Sequence, residues 1–290
     1  MLAIDSIVGI VGDYAMTMLP DFSGAIAKDN YRLNKTKDDI IIVGSSRAHH
    51  HYVTSMLQDS IKYFTGKQYS VYNAGITSRF INSNICAAES IMDRYSPIVL
   101  IFEVCQGELK WETPIRDMET QAVNYHNNRF VKQYLDELGW KERFKMSSNM
   151  FRFNRKLPRI ASQFMKEGDR NGYEPLSGVM DDIHTREIVI QNQFDDYSLR
   201  HFVSMLNTAK ERNISLIIAS SPSFRPNVNE NAQIDSLCRH YSIPYFNLYD
   251  IPFFNSHPDF FKDSGHLNDV GAHYYTELFF EKLKPFLPSE

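Results

Sequence analysis

The sequence predicts a three-layer α/β/α sandwich built on a five-stranded parallel sheet. Two observations point there first. Short apolar runs such as Ile40–Val43 (IIIV) and Ile98–Val104 (IVLIFEV) carry no polar face, which marks strands buried on both sides. These runs alternate with helical segments, the pattern of right-handed crossovers that cover both faces of a parallel sheet. The third observation is size. A chain of 290 residues with 43% hydrophobic and 13% aromatic content can bury a large core,.

Taken in order, residues 1–36 form an apolar segment and a polar connection. MLAIDSIVGIVGDYAMTML is interrupted by Asp5 and Asp13 and lacks a basic start or an obvious cleavage signal, so it is not read as a signal peptide. It reads as an amphipathic helix packed on the domain, with the exit from a membrane anchor outside this chain as the rival reading. The first strand is Ile40–Val43, followed by a helix from Ser46 to Phe64 with Met56, Leu57, Ile61 and Phe64 on its buried face. Gln68–Tyr72 is a second strand, ending at Asn73-Ala74-Gly75, where a glycine suits close backbone approach. A helix over Ile81–Tyr95 leads to the third strand, Ile98–Val104.

Residues 107–197 break the alternation. They are rich in aromatics and charges and hold weak helical periodicity near Ala122–Leu138 and Phe151–Lys166. This stretch is expected to be a mostly helical insertion, read either as a lid, since such loops tend to carry specificity, or as a mobile surface elaboration. Alternation resumes with a helix over Asp196–Arg212, a strand at Ile214–Ala219, a helix near Asn229–Tyr241 and a strand at Pro244–Leu248. The last helix starts at Asn268 or Asp269. The whole chain, 1–290, is read as one domain with no repeats.

Net charge is −4, with basic and acidic residues spread along the chain, so neither a nucleic-acid partner nor an anionic-membrane surface is expected, since either would need a clustered basic patch. The three cysteines, Cys86, Cys105 and Cys238, show neither metal-ligand spacing nor a disulfide framework,. No apolar stretch reaches the roughly 20 residues that cross a bilayer.

Gly44 turns the chain sharply after the first strand, and Ser45 and Ser46 fall where a helix begins. A serine there can be a nucleophile, a cap or a phosphate contact. Asp263 and His266, three residues apart, can pair so that the carboxylate orients the ring and the far nitrogen takes a proton. Together with a serine they form an acyl-transfer constellation. Arg47 reads as a partner for an acidic neighbour or a contact for a substrate anion. Glu103, a charge near the end of an apolar strand, is either a buried, partnered carboxylate or a cleft residue. His49, His50 and His51 resemble a metal tract, but adjacent helical positions point in different directions. No metal site is assigned to them.

Gly44–Arg47 (GSSR), Asn73–Gly75 (NAG) and Asp263–Ala272 (DSGHLNDVGA) resemble the first, second and fifth blocks of the SGNH/GDSL hydrolase superfamily. The implied fold is flavodoxin-like. The resemblance makes Ser46 the nucleophile, His266 the base and Asp263 its orienting acid. Ser45 takes the place of the family's usual aspartate. The N–H groups of Ser46 and Gly75 would form an oxyanion hole. The third block departs from the pattern: Phe102-Glu103-Val104-Cys105-Gln106-Gly107 has no asparagine, and Gln106 is the amide that could replace it. Ser45, Arg47 and Glu103 are carried as weaker substrate contacts.

The variant looks most like the branch linked to O-acylation of cell-envelope glycans. By that resemblance the protein is an esterase or O-acyltransferase acting on an O-acyl, chiefly O-acetyl, group of a carbohydrate. It would work outside the cytoplasm and need no metal or organic cofactor. The alternative is a catalytically degenerate domain that binds a glycan or a membrane-bound partner.

Overall fold

The computed structural model describes residues 2–104, 113–181, 194–224 and 231–288. Its centre is the expected five-stranded parallel sheet, ordered β2-β1-β3-β4-β5. The strands are β1 (Ile40–Val43), β2 (Val71–Asn73), β3 (Val99–Glu103), β4 (Leu216–Ser220) and β5 (Tyr245–Asn247). Helices in chain order are α1 (Leu2–Met18), α2 (Ala25–Asn34), α3 (Ser46–His51), α4 (Thr54–Thr65) and α5 (Ile81–Arg94). Five short ones follow: α6 (Pro114–Glu119), α7 (Arg129–Glu137), α8 (Trp140–Met146), α9 (Asn149–Arg152) and α10 (Leu157–Gln163). The last four are α11 (Asp196–Glu211), α12 (Ala232–Tyr241), α13 (Pro252–Asn255) and α14 (Asp269–Leu283). A small antiparallel pair, β6 (Phe261–Asp263) and β7 (His266–Leu267), precedes α14.

Alternate residues of each central strand feed two cores. Ile41, Val43, Leu100, Phe102 and Ile218 pack with α5 and α11. Ile40, Ile42, Val99, Ile101 and Ile217 pack on the other face with α4 and α14. Burial on both sides is why these strands read as unbroken apolar runs.

Among the boundaries that differ from expectation, two have a clear physical reason. The helix over 46–64 is two helices, because Tyr52 and Val53 adopt extended backbone between α3 and α4. The Tyr52 side chain is buried there, and its hydroxyl bonds Glu103 at the end of β3. The second strand begins at Val71 and runs through Asn73. Ser70 is held outside it, its N–H and hydroxyl both donating to Asp39.

A third, smaller core joins α1 to the insertion through Met16, Leu19, Ile26, Val123, Phe153 and Ile160. Beyond α10 the chain returns as a strap over residues 171–180. Asn171 O accepts from Asn73 N–H (3.1 Å), Glu174 N–H donates to His49 O (3.1 Å) and Leu176 O accepts from Asp269 N–H (2.9 Å). This part of the insertion therefore ties β2, α3 and α14 together along their edges.

Candidate active site

Ser46 opens α3, where first-turn N–H groups lack partners inside the helix,. Its Oγ lies 2.7 Å from His266 Nε2, although the residues are 220 apart in sequence. His266 and Asp263 face each other across the β6–β7 pair. There His266 Nδ1 sits 2.9 and 3.0 Å from the two Asp263 oxygens. Partial burial raises the Asp263 pKa, but bonds from the His266 ring and the Gly265 N–H outweigh it and hold the carboxyl below its usual value. A hydroxyl, an imidazole and an ionised carboxylate thus stand in line, half open to solvent.

The turn that carries His266 is clamped from below. Arg47 Nη1 donates to Gly265 O (3.0 Å), and Leu267 N–H donates to His51 Nε2 (2.9 Å). Because His51 Nε2 accepts, its Nδ1 carries the proton and donates to Ser221 Oγ (2.7 Å),. Ser221 in turn gives its hydroxyl (2.6 Å) and its N–H (2.9 Å) to Glu103 Oε1. Arg47 Nε faces the same oxygen at 3.5 Å, and Tyr52 OH donates to the other, itself receiving Tyr275 OH at 2.9 Å. Burial pushes Glu103 above the usual carboxylate range, against the pull of Arg47 and these hydrogen bonds. Burial, then Arg47, holds the His51 ring well below the usual histidine value.

On sequence alone Arg47 and Glu103 each read either as partners within the fold or, more weakly, as substrate contacts. Both are buried, at 4% and 1% exposure, and they support the His266 turn. Ser45 is likewise buried, and its carbonyl accepts the His49 N–H at 3.0 Å. An apolar strand that ends in a carboxylate needs partners there, and α3 and β4 supply them.

The second loop sits against α3 as well. A Cβ on Gly75 would stand 2.4 Å from His49 N, so only glycine allows this approach. Its N–H, expected to serve the oxyanion, donates to Asn73 Oδ1 (2.9 Å). Asn73 also donates to Ala48 O (2.6 Å), which fastens the loop to the end of α3. Ser78, three residues on, holds a left-handed φ of 66°, a strain that a non-glycine residue keeps only where its surroundings impose it. Gln106 lies outside the described residues.

His49 and His50 form a separate chain of bonds. Lys28 Nζ donates to His49 Nε2 (3.0 Å), and His49 Nδ1 meets Thr77 Oγ1 (3.1 Å). His50 Nε2 meets the same hydroxyl (3.1 Å), while its Nδ1 donates to Glu174 O (2.7 Å). Ligand atoms of His49, His50 and Glu174 lie within 4.8 Å of one another, a spacing a metal ion could use. Both His50 nitrogens are engaged, however, and an ammonium already stands at His49. Taking up a cation would require Lys28 to leave and one His50 bond to break. Burial lowers the His50 pKa and, with Lys28 and His50 nearby, brings His49 down to about 3.

On a doubly wound α/β sheet, then, the site is a serine–histidine–aspartate triad at the carboxyl end of β1. No protein-family profile matches the chain, and no curated protein does. Solved structures with a related outline include a candidate acylhydrolase from Bacteroides fragilis (12% identity, 91% of this chain and 99% of the other, TM-score 0.41). Others are a candidate lipolytic protein of the G-D-S-L family from Desulfitobacterium hafniense (10%, 87% and 100%, TM-score 0.40) and a GDSL-like lipase from Bacteroides thetaiotaomicron (13%, 84% and 87%, TM-score 0.38). Likenesses this distant establish neither a family nor an activity for this chain.

Proposed function

We propose that this protein is a serine acyl hydrolase of the SGNH/GDSL type. The observation that carries the reading is the in-line contact of Ser46, His266 and Asp263. In this reading Ser46 Oγ attacks an acyl carbonyl while His266 Nε2 takes its proton. The tetrahedral intermediate collapses, the C–O bond to the leaving group breaks, and Nε2 returns the proton to that oxygen. Water, or a second hydroxyl, then repeats the sequence and frees Ser46. Asp263 stays ionised and steadies the imidazolium. By resemblance the substrate class is an O-acyl ester of a carbohydrate, and water or a sugar hydroxyl would be the acceptor.

A second reading rests on one bond. Gly75 N–H is occupied by Asn73, and losing one oxyanion donor typically costs on the order of 100- to 1,000-fold in turnover. A domain that binds an acylated glycan without turning it over would fit that occupancy. One pair of measurements separates the two. The hydrolase reading expects a fluorophosphonate to label Ser46, and Ser46→Ala to slow hydrolysis of p-nitrophenyl acetate by about 10,000-fold or more. Unlabelled Ser46 with undiminished glycan binding would sink it.

A further inference from the structure

Helix α1 turns its charges inward and most of its large apolar side chains outward. Its two charges, Asp5 and Asp13, face the protein. Asp5 accepts from Ser148 Oγ (2.9 Å) and from the N–H groups of Asn149 (3.1 Å) and Met150 (2.9 Å) at the start of α9. Asp13 pairs with Arg152, whose side chain is fully buried. Gly9 and Gly12 lie against Asn149 and Phe153 with no room for a Cβ. The outward face is left to Ile4, Ile7, Ile10, Val11, Tyr14 and Met18, each 54–71% exposed. A helix that only covered a core would show the reverse pattern. The helix does pack on the domain as the sequence suggests, through Val8, Ala15 and Met16, but most of its large apolar side chains face outward.

The insertion helices beside α1 also expose apolar side chains. Trp140, Phe144, Met150, Phe164 and Met165 are exposed, by 43–89%. The same stretch, residues 140–166, holds eight basic residues against one acid, in a chain whose net charge is −4, which corrects the expectation that the charges are evenly spread. That acid, Glu142, is buried and bonded to Lys145. Lys141, Arg143, Arg155, Arg159 and Lys166 all lie in the open. An uncharged helix face, exposed aromatics and a local excess of cations together match a bilayer interface with anionic headgroups. No helix among the described residues is long and apolar enough to cross a membrane, which fits a helix lying in the interface.

We infer that α1 and the α8–α10 stretch form a docking surface for an anionic lipid bilayer, with the α1 stripe inserted and the basic residues on the headgroups. This does not depend on the acyl-hydrolase reading. The test is flotation of the full chain with vesicles of equal parts phosphatidylglycerol and phosphatidylcholine, beside vesicles of phosphatidylcholine alone. Binding to the anionic vesicles is expected, weakened by salt, with a blue shift of tryptophan emission. Ile7→Glu with Val11→Glu should cut the bound fraction about tenfold or more, without altering the circular dichroism spectrum or turnover of a small ester. Lys141→Glu with Arg143→Glu, which leaves α1 intact, should weaken binding to anionic vesicles and leave the weak binding to neutral ones unchanged. Absence of binding to anionic vesicles overturns the proposal. So does a dimer in light scattering that the Ile7→Glu/Val11→Glu variant splits while vesicles go unbound, since the stripe would then seat a second copy or another protein.

Discussion

Arg47 and His51 lie one turn apart on one side of α3, whereas His49 and His50 lie on the other,. The first side is gripped by an ionic, fully buried network that ends at the His266 turn. The second is gripped by neutral rings around one hydroxyl, with a lysine and the strap at the ends. Both grips immobilise the helix that begins at Ser46. They differ in what happens when a member is lost: an unpaired buried charge has no cheap substitute, whereas water can replace a neutral partner near the surface.

The largest effect is expected at Glu103. Glu103→Gln removes the buried carboxylate that faces Arg47 and should cost about 3–5 kcal/mol in urea unfolding, as broken buried pairs do. His51→Phe keeps the ring but removes the acceptor for Leu267 N–H. It should cost about 1–3 kcal/mol. In the hydrolase reading it should also lower kcat about 10- to 100-fold with KM little changed, because the His266 turn loses its support. Thr77→Val cuts the neutral chain in the middle and should cost only about 1 kcal/mol. If Thr77→Val destabilises as much as Glu103→Gln, the contrast between the two grips is wrong.

The last expected effect, modest per pH unit, is on pH dependence. The folded state keeps His49 neutral down to about 3, whereas an unfolded histidine titrates near 6.5. Between those values the unfolded chain binds a proton that the fold refuses. Stability should therefore fall as pH drops from about 6.5 toward 3, by at most about 1.4 kcal/mol per pH unit from this ring. It should be flat in this respect above 6.5. His49→Gln should flatten the slope over that window; an unchanged slope would mean that His49 charges within the fold.

The central sheet was legible because burial on two faces writes itself into consecutive residues, as in Ile40–Val43 and Val99–Phe102. Ser46, Asp263 and His266 were legible as motifs at strand and turn ends. What stayed hidden depends on partners remote in sequence. Nothing near Glu103 announces Ser221, 118 residues away, and nothing near His51 announces Leu267. The two signals present were an acid closing an apolar strand and three histidines in a row. The break at Tyr52–Val53 was hidden for the same reason, since its cause is Glu103 across the core. The orientation of α1 was hidden because its apolar residues cover most of the helix and only tertiary contacts choose the inward side.

The 220-residue gap between Ser46 and His266 also has a meaning in time. A ribosome makes the hydroxyl early and the imidazole near the end. In the hydrolase reading, until β7 has been made and folded against α3, the serine has no base at hand, and a nascent or truncated chain carries an inert alcohol. Non-local contacts of this kind form late and slowly. Reactivity at Ser46 would thus report that the last elements have docked, and a serine-directed probe added during refolding would time the closing step of assembly.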